Sequence, residues 1–554
     1  MKQLIMNKFL KLSTALAVLI LVACDTNDEP ELGIKHLVVI GVDGMSPNGI
    51  QNAKTPVLDS LIKNGASTLQ ARSVLPSSSS SNWASMLMGA ATEQHGITSN
   101  GWDVNDYTLP AVVSGGDSRF PSIFTLFHDQ KPEAHVGAIY DWDGFGRLYN
   151  PADVDFDIDA DHEDKTTQEA INYIKAHKPD FTFIHLDHVD HAGHSEGHGS
   201  ASYYEAVEKA DLLIGDIIKS TQDAGIFEET VFIVSSDHGG LGKGHGGESL
   251  DEVLIPFILY GKNVKKGYAI EETVYQYDNA ATVAFMAGLE TPQAWIGRPV
   301  KSAFVGYEKP VLKYKKVEAL QAPQFKPQNG PYAPAGGLFQ EKVSVVINNP
   351  NASGSIYYTL DGSDPSAKHA VKYDAPFYVD QTTLVSAIVV EEGKTQSKIA
   401  EGNYRFVSAS KKPGVTYAIF QEEPLSALPD FTNKKPKLSG VTMEFSTEVL
   451  DEISETTNTA LVFTAQLEVL TPGEYTFYTT SDDGSKLYVD NQLVVNNDGD
   501  HGVQERSGSV SIAKGKHTLK IEYFNDGGGY YLDAKYKGPG IGKQIIPADK
   551  LSQD

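Results

Sequence analysis

The amino-acid sequence predicts an α/β domain, a mostly parallel sheet with helices on both faces, followed by two all-β sandwich domains. Three observations carry this expectation. Short runs such as Leu37–Ile40, Phe181–Leu186, Val231–Val234 and Leu254–Tyr260 are apolar throughout, as strands covered on both faces are. They alternate with helical stretches at Thr55–Asn64, Tyr203–Thr221 and Asn279–Leu289, and such alternation builds a parallel sheet. Beyond residue 305 or so, stretches such as SGSIYYTLDGSDPS and APFYVDQTTLVSAIVV switch to short strands and turn residues, the patterning of sandwiches.

The chain begins with a targeting segment. Lys2, Lys8 and Lys11 precede an apolar run from Ala15 to Ala23 that is too short for a permanent membrane span. It ends in Leu21-Val22-Ala23-Cys24, which resembles a bacterial lipoprotein cleavage box. That resemblance implies that Cys24 becomes the lipidated first residue of a protein held at the bacterial cell envelope, on the periplasmic or the outer surface. Cys24 is also the only cysteine, so no intramolecular disulfide forms. Residues 1–24 are thus read as the signal and 25–34 as a tether. Removal of the three signal lysines takes the formal charge from −26 to −29. A chain this acidic is poorly suited to binding nucleic acid or anionic membranes by charge.

In the first folded segment, residues 35–307, chemistry-bearing side chains follow the strands. Asp43 closes HLVVIGVDG; Asp190 and His194 lie in DHVDHAGHSEGH after Phe181–Leu186; Asp237, His238 and His245 lie in SSDHGGLGKGHGG after Val231–Val234. Ligands collect past the carboxyl ends of strands in open α/β sheets, and glycines there let backbone approach closely. The serine run Ser77–Ser81 leads into a compact apolar helix at Trp83–Met88. A hydroxyl at a helix N-terminus faces free N–H groups that favour an anion, and each of the five serines offers one.

These segments, in this order, resemble the alkaline phosphatase superfamily, and in particular its nucleotide pyrophosphatase/phosphodiesterase branch. Asp43 matches the first metal-binding aspartate, Asp190 and His194 the D-x-x-G-H pair, Asp237 and His238 the S-D-H-G pair, and His245 the last histidine. Ser79 takes the nucleophile position of P-T-x-T-F-P-N-H, three residues after Pro76. Asn100 takes that of the asparagine in H-G-I-x-x-N, which holds a phosphoryl oxygen. The resemblance implies an alkaline phosphatase-like fold and two Zn²⁺ ions, with Mn²⁺ as an alternative, about 4 Å apart. Asp43, Ser79, Asp237 and His238 would hold one ion, and Asp190, His194 and His245 the other. Three departures stand out. The nucleophile is Ser rather than Thr, Trp83 replaces a His, and His245 follows His238 by only seven residues. The family's inserted nucleotide-binding cap is therefore missing.

The implied activity is hydrolysis of phosphate esters through a phospho-serine intermediate. No arginine lies between Arg72 and Arg119, which favours diesters over monoesters, with a glycan- or lipid-linked alcohol as substrate. A phosphomonoesterase is the alternative. A sulfatase would need a C/S-x-P/A-x-R motif, and Ser79–Trp83 lacks both the Pro and the Arg. An adhesin with an inactive enzyme domain would have lost ligands, and none is lost. Asp187 and His191 repeat the spacing of Asp190 and His194, but only the latter pair has the preceding glycine. The acidic run Asp153–Asp164 has Ile158 where a calcium loop needs glycine and reads as a solvated edge.

Residues 308–323 read as a linker. The segment 324–407 resembles the C-terminal sandwich of chitobiase and β-hexosaminidase enzymes through Tyr358–Ser366. The segment 414–549 resembles the protective-antigen-type module, some members of which bind Ca²⁺ and sugar through an aspartate pair, here Asp482 and Asp483. The lipid anchor gives the first test: Cys24→Ala should release the full-length protein from membranes, and a variant still membrane-bound after a high-salt wash would contradict lipidation.

Overall fold

The computed structural model describes residues 32–314, 320–328 and 335–553, apart from 362, 367, 422, 423, 455 and 528. The signal peptide with Cys24, most of the tether and residues 315–319 of the linker lie outside the described residues.

The first domain is built on an eight-stranded sheet of β1 (His36–Val42), β2 (Ala66–Arg72), β3 (Val136–Tyr140), β4 (Phe156–Asp159), β5 (Phe181–Leu186), β6 (Thr230–Ser235), β7 (Leu254–Gly261) and β8 (Tyr268–Ala269). Their order is β4-β3-β5-β1-β6-β7-β2-β8. The five strands from β4 to β6 run parallel; β7 is antiparallel to both β6 and β2. The sheet is thus mixed with one reversed strand, which an apolar run cannot reveal because β7 is buried on both faces like its neighbours.

Alternation along each strand supplies two cores. Leu37 and Val39 of β1, with Val231 and Ile233 of β6, face Trp83, Leu87, Phe124 and Val283. Val38, Ile40, Phe232 and Val234 face the opposite layer, Leu58, Ile174, Val207 and Ile214. Every second side chain is apolar on each face, so helices must cover both. The helices are Pro56–Asn64, Ser79–Met88, Ile123–Gln130, Glu163–His177, His188–Glu196, Ala201–Asp223 and Asp278–Ala287, with shorter turns between them. The helix expected at Trp83–Met88 starts four residues earlier, at Ser79. Four of its first residues are poor helix formers in isolation, but tertiary burial of the whole first turn overrides propensity. The acidic run places β4 at the sheet edge, with its acidic positions exposed.

The second domain pairs a five-stranded with a three-stranded sheet around Val345, Ile347, Val385, Val389 and Tyr404. The third packs a seven-stranded against a four-stranded sheet around Phe463, Phe477, Leu487 and Ile521. Arg405 of the second domain grips Glu444 of the third in a two-point ion pair of 2.8 and 2.7 Å. No helix among the described residues is long and apolar enough to cross a membrane.

Candidate metal centre

Strands β5, β1 and β6 are adjacent and parallel, so their carboxyl ends deliver side chains to one place. Asp43 directly follows β1, and its N–H donates to Leu186 O at 2.8 Å, the last residue of β5. Asp190 lies in the first turn of helix His188–Glu196. Asp237 and His238 follow β6. Gly44 lets the two halves close: a Cβ there would lie 2.8 Å from Asp190 Cβ, and its φ is +67°.

Two groups of ligand atoms converge, each within 4.8 Å: Asp43 with Asp237 and His238, and Asp190 with His194 and His245. In the first, His238 Nδ1 donates to Gly239 O at 2.7 Å, so the lone pair of Nε2 faces the carboxylates. That nitrogen stands 3.3 Å from Asp43 Oδ1, 3.1 Å from Asp237 Oδ2 and 3.3 Å from Ser79 Oγ. In the second, Nδ1 of His194 donates to Lys243 O (2.7 Å) and Nδ1 of His245 to Ser77 O (3.0 Å). Their Nε2 atoms are 3.2 Å apart, and that of His194 is 3.0 Å from Asp190 Oδ2. The rings of His238 and His245 stack at 3.7 Å, so the two groups adjoin.

This arrangement tests whether the residues fit cations. Asp43 Oδ1, Asp237 Oδ2 and Asp190 Oδ1 are buried and have no hydrogen-bond donor. Buried acceptors facing imidazole lone pairs are costly unless a cation sits among them. Burial, together with the charges of Asp43 and Asp190, pushes the Asp237 carboxyl well above its ordinary range. Burial and His238 likewise push His245 well below the ordinary imidazole value. Three imidazoles oriented by backbone carbonyls and three carboxylates form a donor set suited to zinc. The residues fit.

Around the ligands stand residues to which the sequence assigns no role in the site. Trp83 Nε1 donates to Asp43 Oδ2 at 2.9 Å, and His185 Nε2 lies 3.3 Å from the same oxygen. The other ring nitrogen of His185 is 3.3 Å from Asp141 Oδ1. Burial works against its charge, but Asp141 and Asp43 raise its pKa to about 10. The His198 side chain is buried, with Nε2 3.6 Å from Asp190 Oδ1. His191 is exposed and joins neither group, whereas Asp187 lies near Asp43 and His185.

Ser79 begins its helix and is 5% exposed. The neighbouring hydroxyls are otherwise engaged: Ser77 Oγ with Gly247 O at 2.6 Å, Ser78 Oγ with Ser81 Oγ at 3.2 Å, and Ser80 Oγ with Arg147 at 3.3 Å. Asn100 Oδ1 accepts from Ser80 N at 2.9 Å, which leaves its NH₂ group as the available donor. Arg147 also donates to the Asn100 carbonyl oxygen, and its buried Nε has no partner. The arginine-free stretch from Arg72 to Arg119 therefore does not mean an arginine-free site. Arg147 arrives from the loop after β3, 67 residues beyond Ser80, at a spacing that no local motif encodes. Asp482 and Asp483 lie in the third domain, where Asp483, Asp500 and Asp526 form a further convergent group.

With this geometry in place, three comparisons bear on the chain. Residues 37–243 match the family model "Type I phosphodiesterase / nucleotide pyrophosphatase", residues 334–401 that of the chitobiase/beta-hexosaminidase C-terminal domain, and residues 411–550 the PA14 domain. GPI ethanolamine phosphate transferase 3 of Schizosaccharomyces pombe is 27% identical over 29% of this chain and 18% of its own length. Venom phosphodiesterase CdcPDE of Crotalus durissus collilineatus is 24% identical over 37% of this chain and 26% of its own. The chain thus spans about a fifth to a quarter of the length of these two relatives. Among solved structures, murine ectonucleotide pyrophosphatase / phosphodiesterase 5 superposes with a TM-score of 0.40 at 14% identity, over 47% of this chain and 96% of that one. An alkaline phosphatase mutant, PafA, superposes with a TM-score of 0.41 at 10% identity, over 49% and 99%. The chain therefore carries a type I phosphodiesterase / nucleotide pyrophosphatase domain, followed by a chitobiase/β-hexosaminidase C-terminal domain and a PA14 domain.

Proposed function

We propose that this chain is an exported phosphohydrolase, lipid-anchored through Cys24 at the bacterial envelope, that cleaves phosphodiesters through a phospho-serine intermediate. The observation that carries the reading is the convergence of two adjoining ligand groups beside the Ser79 hydroxyl, with buried carboxylate oxygens left without donors. Asp43, Asp237 and His238 would hold one divalent cation with Ser79, and Asp190, His194 and His245 the other; zinc suits both, with manganese as an alternative. Bound there, the pair supplies Lewis-acid stabilisation of phosphoryl charge and lowers the pKa of the serine hydroxyl.

The protein's own groups do the rest. Ser79 Oγ attacks phosphorus, forming an O–P bond as the bond to the departing alcohol breaks. Water then cleaves the Oγ–P bond, releases the phosphate product and restores the hydroxyl. The helix that begins at Ser79 aims its N-terminal dipole at the phosphoryl group. Asn100, with its carbonyl oxygen tied to Ser80 N, donates from its amide to a phosphoryl oxygen as charge builds. The type I phosphodiesterase match supports a diester substrate. In the PA14 domain, Asp483, Asp500 and Asp526 bring carboxylate oxygens together within 4.8 Å, next in sequence to Asp482, an all-oxygen acidic group of the kind Ca²⁺ takes, which fits a glycan-linked alcohol.

Arg147 favours a second reading, a phosphomonoesterase. A guanidinium beside Asn100 could balance the extra negative charge of a monoester. The kinetics of matched aryl mono- and diesters separate the two. The diester reading predicts the higher kcat/KM for the diester, and an Arg147→Ala variant that loses little of it. A preference for the monoester that disappears in Arg147→Ala would establish the second reading.

Ser79→Ala should lose most activity, whereas Ser78→Ala and Ser80→Ala should keep it; the reverse pattern would move the nucleophile. Asn100→Ala should cost roughly 10²–10³ in turnover, the loss typical of an oxyanion donor. The purified protein should hold two zinc ions per chain, lose activity to chelators and recover it with added metal. His245→Ala should lower the metal content, and full metal content in that variant would remove His245 from the ligand set.

A further inference from the structure

Ser79 and Trp83 stand four residues apart in the helix Ser79–Met88 and so share one of its faces. Ser79 Oγ lies 3.3 Å from His238 Nε2. One turn further on, Trp83 Nε1 donates to Asp43 Oδ2 at 2.9 Å. A single helix face thus presents the nucleophile to one ligand of the first cation site and a hydrogen-bond donor to another. An indole has one N–H, and this one is spent on a ligand carboxylate. Asp43 divides its two oxygens accordingly. Oδ2 takes the indole, with His185 Nε2 3.3 Å away. Oδ1 has no donor among the described residues and lies 3.3 Å from His238 Nε2.

The fold is shaped to seat this ring, which is wholly buried. Gly41 lies two residues before Asp43 in β1, on the strand face that Leu37 and Val39 turn toward Trp83. A Cβ at Gly41 would fall 2.4 Å from Trp83 Cζ3 and 2.5 Å from Cη2. The φ of Gly41 is not positive, so the close approach of the ring, not backbone conformation, requires a glycine there. Phe145, Phe183 and His185 close the seat with their rings edge-on to the indole, at centroid distances of 5.9, 6.1 and 4.6 Å. A ring packed on all sides keeps its N–H aimed at one point. A phenyl ring would fill much of the same space; the indole adds the donor.

We propose that Trp83 is a positioning residue that registers the nucleophile with its cation. The indole holds Asp43 so that Oδ1 alone is turned to the first cation site, and the shared helix ties that oxygen to Ser79 Oγ. The inference rests on the two-cation reading above and adds a residue to it. A carboxylate already held in place spares the site the cost of ordering it when a cation enters, so loss of the indole N–H lowers affinity there. That single N–H is spent on Asp43, so the second group, Asp190, His194 and His245, draws nothing from it.

The test is zinc affinity, measured on the full chain by competition with a chromophoric chelator. His245→Ala leaves the first site to be measured alone, and His238→Ala the second. In each background Trp83 is changed to Phe, or replaced by benzothienylalanine, an isostere with sulfur in place of the N–H. Both changes should weaken zinc roughly 10–100-fold at the first site, the usual cost of losing a group that orients a ligand, and leave the second unchanged. If Trp83→Phe fails to fold, the isostere decides, because it keeps the packing. Unaltered first-site affinity with the isostere, or equal losses at both sites, would reduce Trp83 to a packing residue and overturn the proposal. Absence of zinc binding in either background with Trp83 intact would instead overturn the two-cation reading on which the proposal stands.

Discussion

Everything in the catalytic domain answers to one electrostatic constraint. Asp43, Asp190 and Asp237 are gathered at the carboxyl ends of β5, β1 and β6, nearly or fully removed from water. Like charges so close cannot all stay ionised without compensation. Imidazoles relieve this only in part: Asp190 pairs with His194 at 3.0 Å and raises its pKa to about 10, while burial pushes His245 well below the ordinary imidazole value. The sheet, the closely packed Gly44 and the hydrogen bonds of Trp83 and His185 hold this arrangement in place. Cations would complete the centre in a way that protein groups do not.

The same constraint explains why some of the site was legible in the sequence and some was not. Asp43, Asp190, His194, Asp237 and His238 each sit just past an apolar strand, within a few residues of a glycine. A pattern of strand, turn and hard ligand is local, so it can be read from the chain. Arg147, His185 and Trp83 carry no such signal. His185 is the penultimate residue of a buried strand and reads as one more core position; only the register of β5 beside β1 sets it against Asp43. Arg147 depends on the packing of the loop after β3 against the Asn100 segment, a contact between distant parts of the chain. The reversed direction of β7 was hidden for a related reason: burial on both faces erases the alternation that would mark its orientation.

The β domains were visible as sandwiches from alternation and turn residues, but their seat was not. Gly502 and Gly529 look like ordinary turn glycines. Their significance comes from what they face, the carbonyl oxygens of His245 and Lys243. A domain that presses on the metal-ligand loop is joined mechanically to the centre, since His194 leans on the same Lys243 carbonyl. The short spacing from His238 to His245 fits this picture. The loop between the two histidines is the one that Gly502 and Gly529 of the PA14 domain approach.

Asp43, Asp190, His194, Asp237, His238 and His245 with Ser79 would form two adjoining cation sites. Anomalous diffraction at the zinc edge from crystals of the full-length protein tests it directly. Two peaks should appear, one among Asp43, Ser79, Asp237 and His238 and the other among Asp190, His194 and His245. A single peak, or zinc bound elsewhere with these side chains paired among themselves, would contradict it.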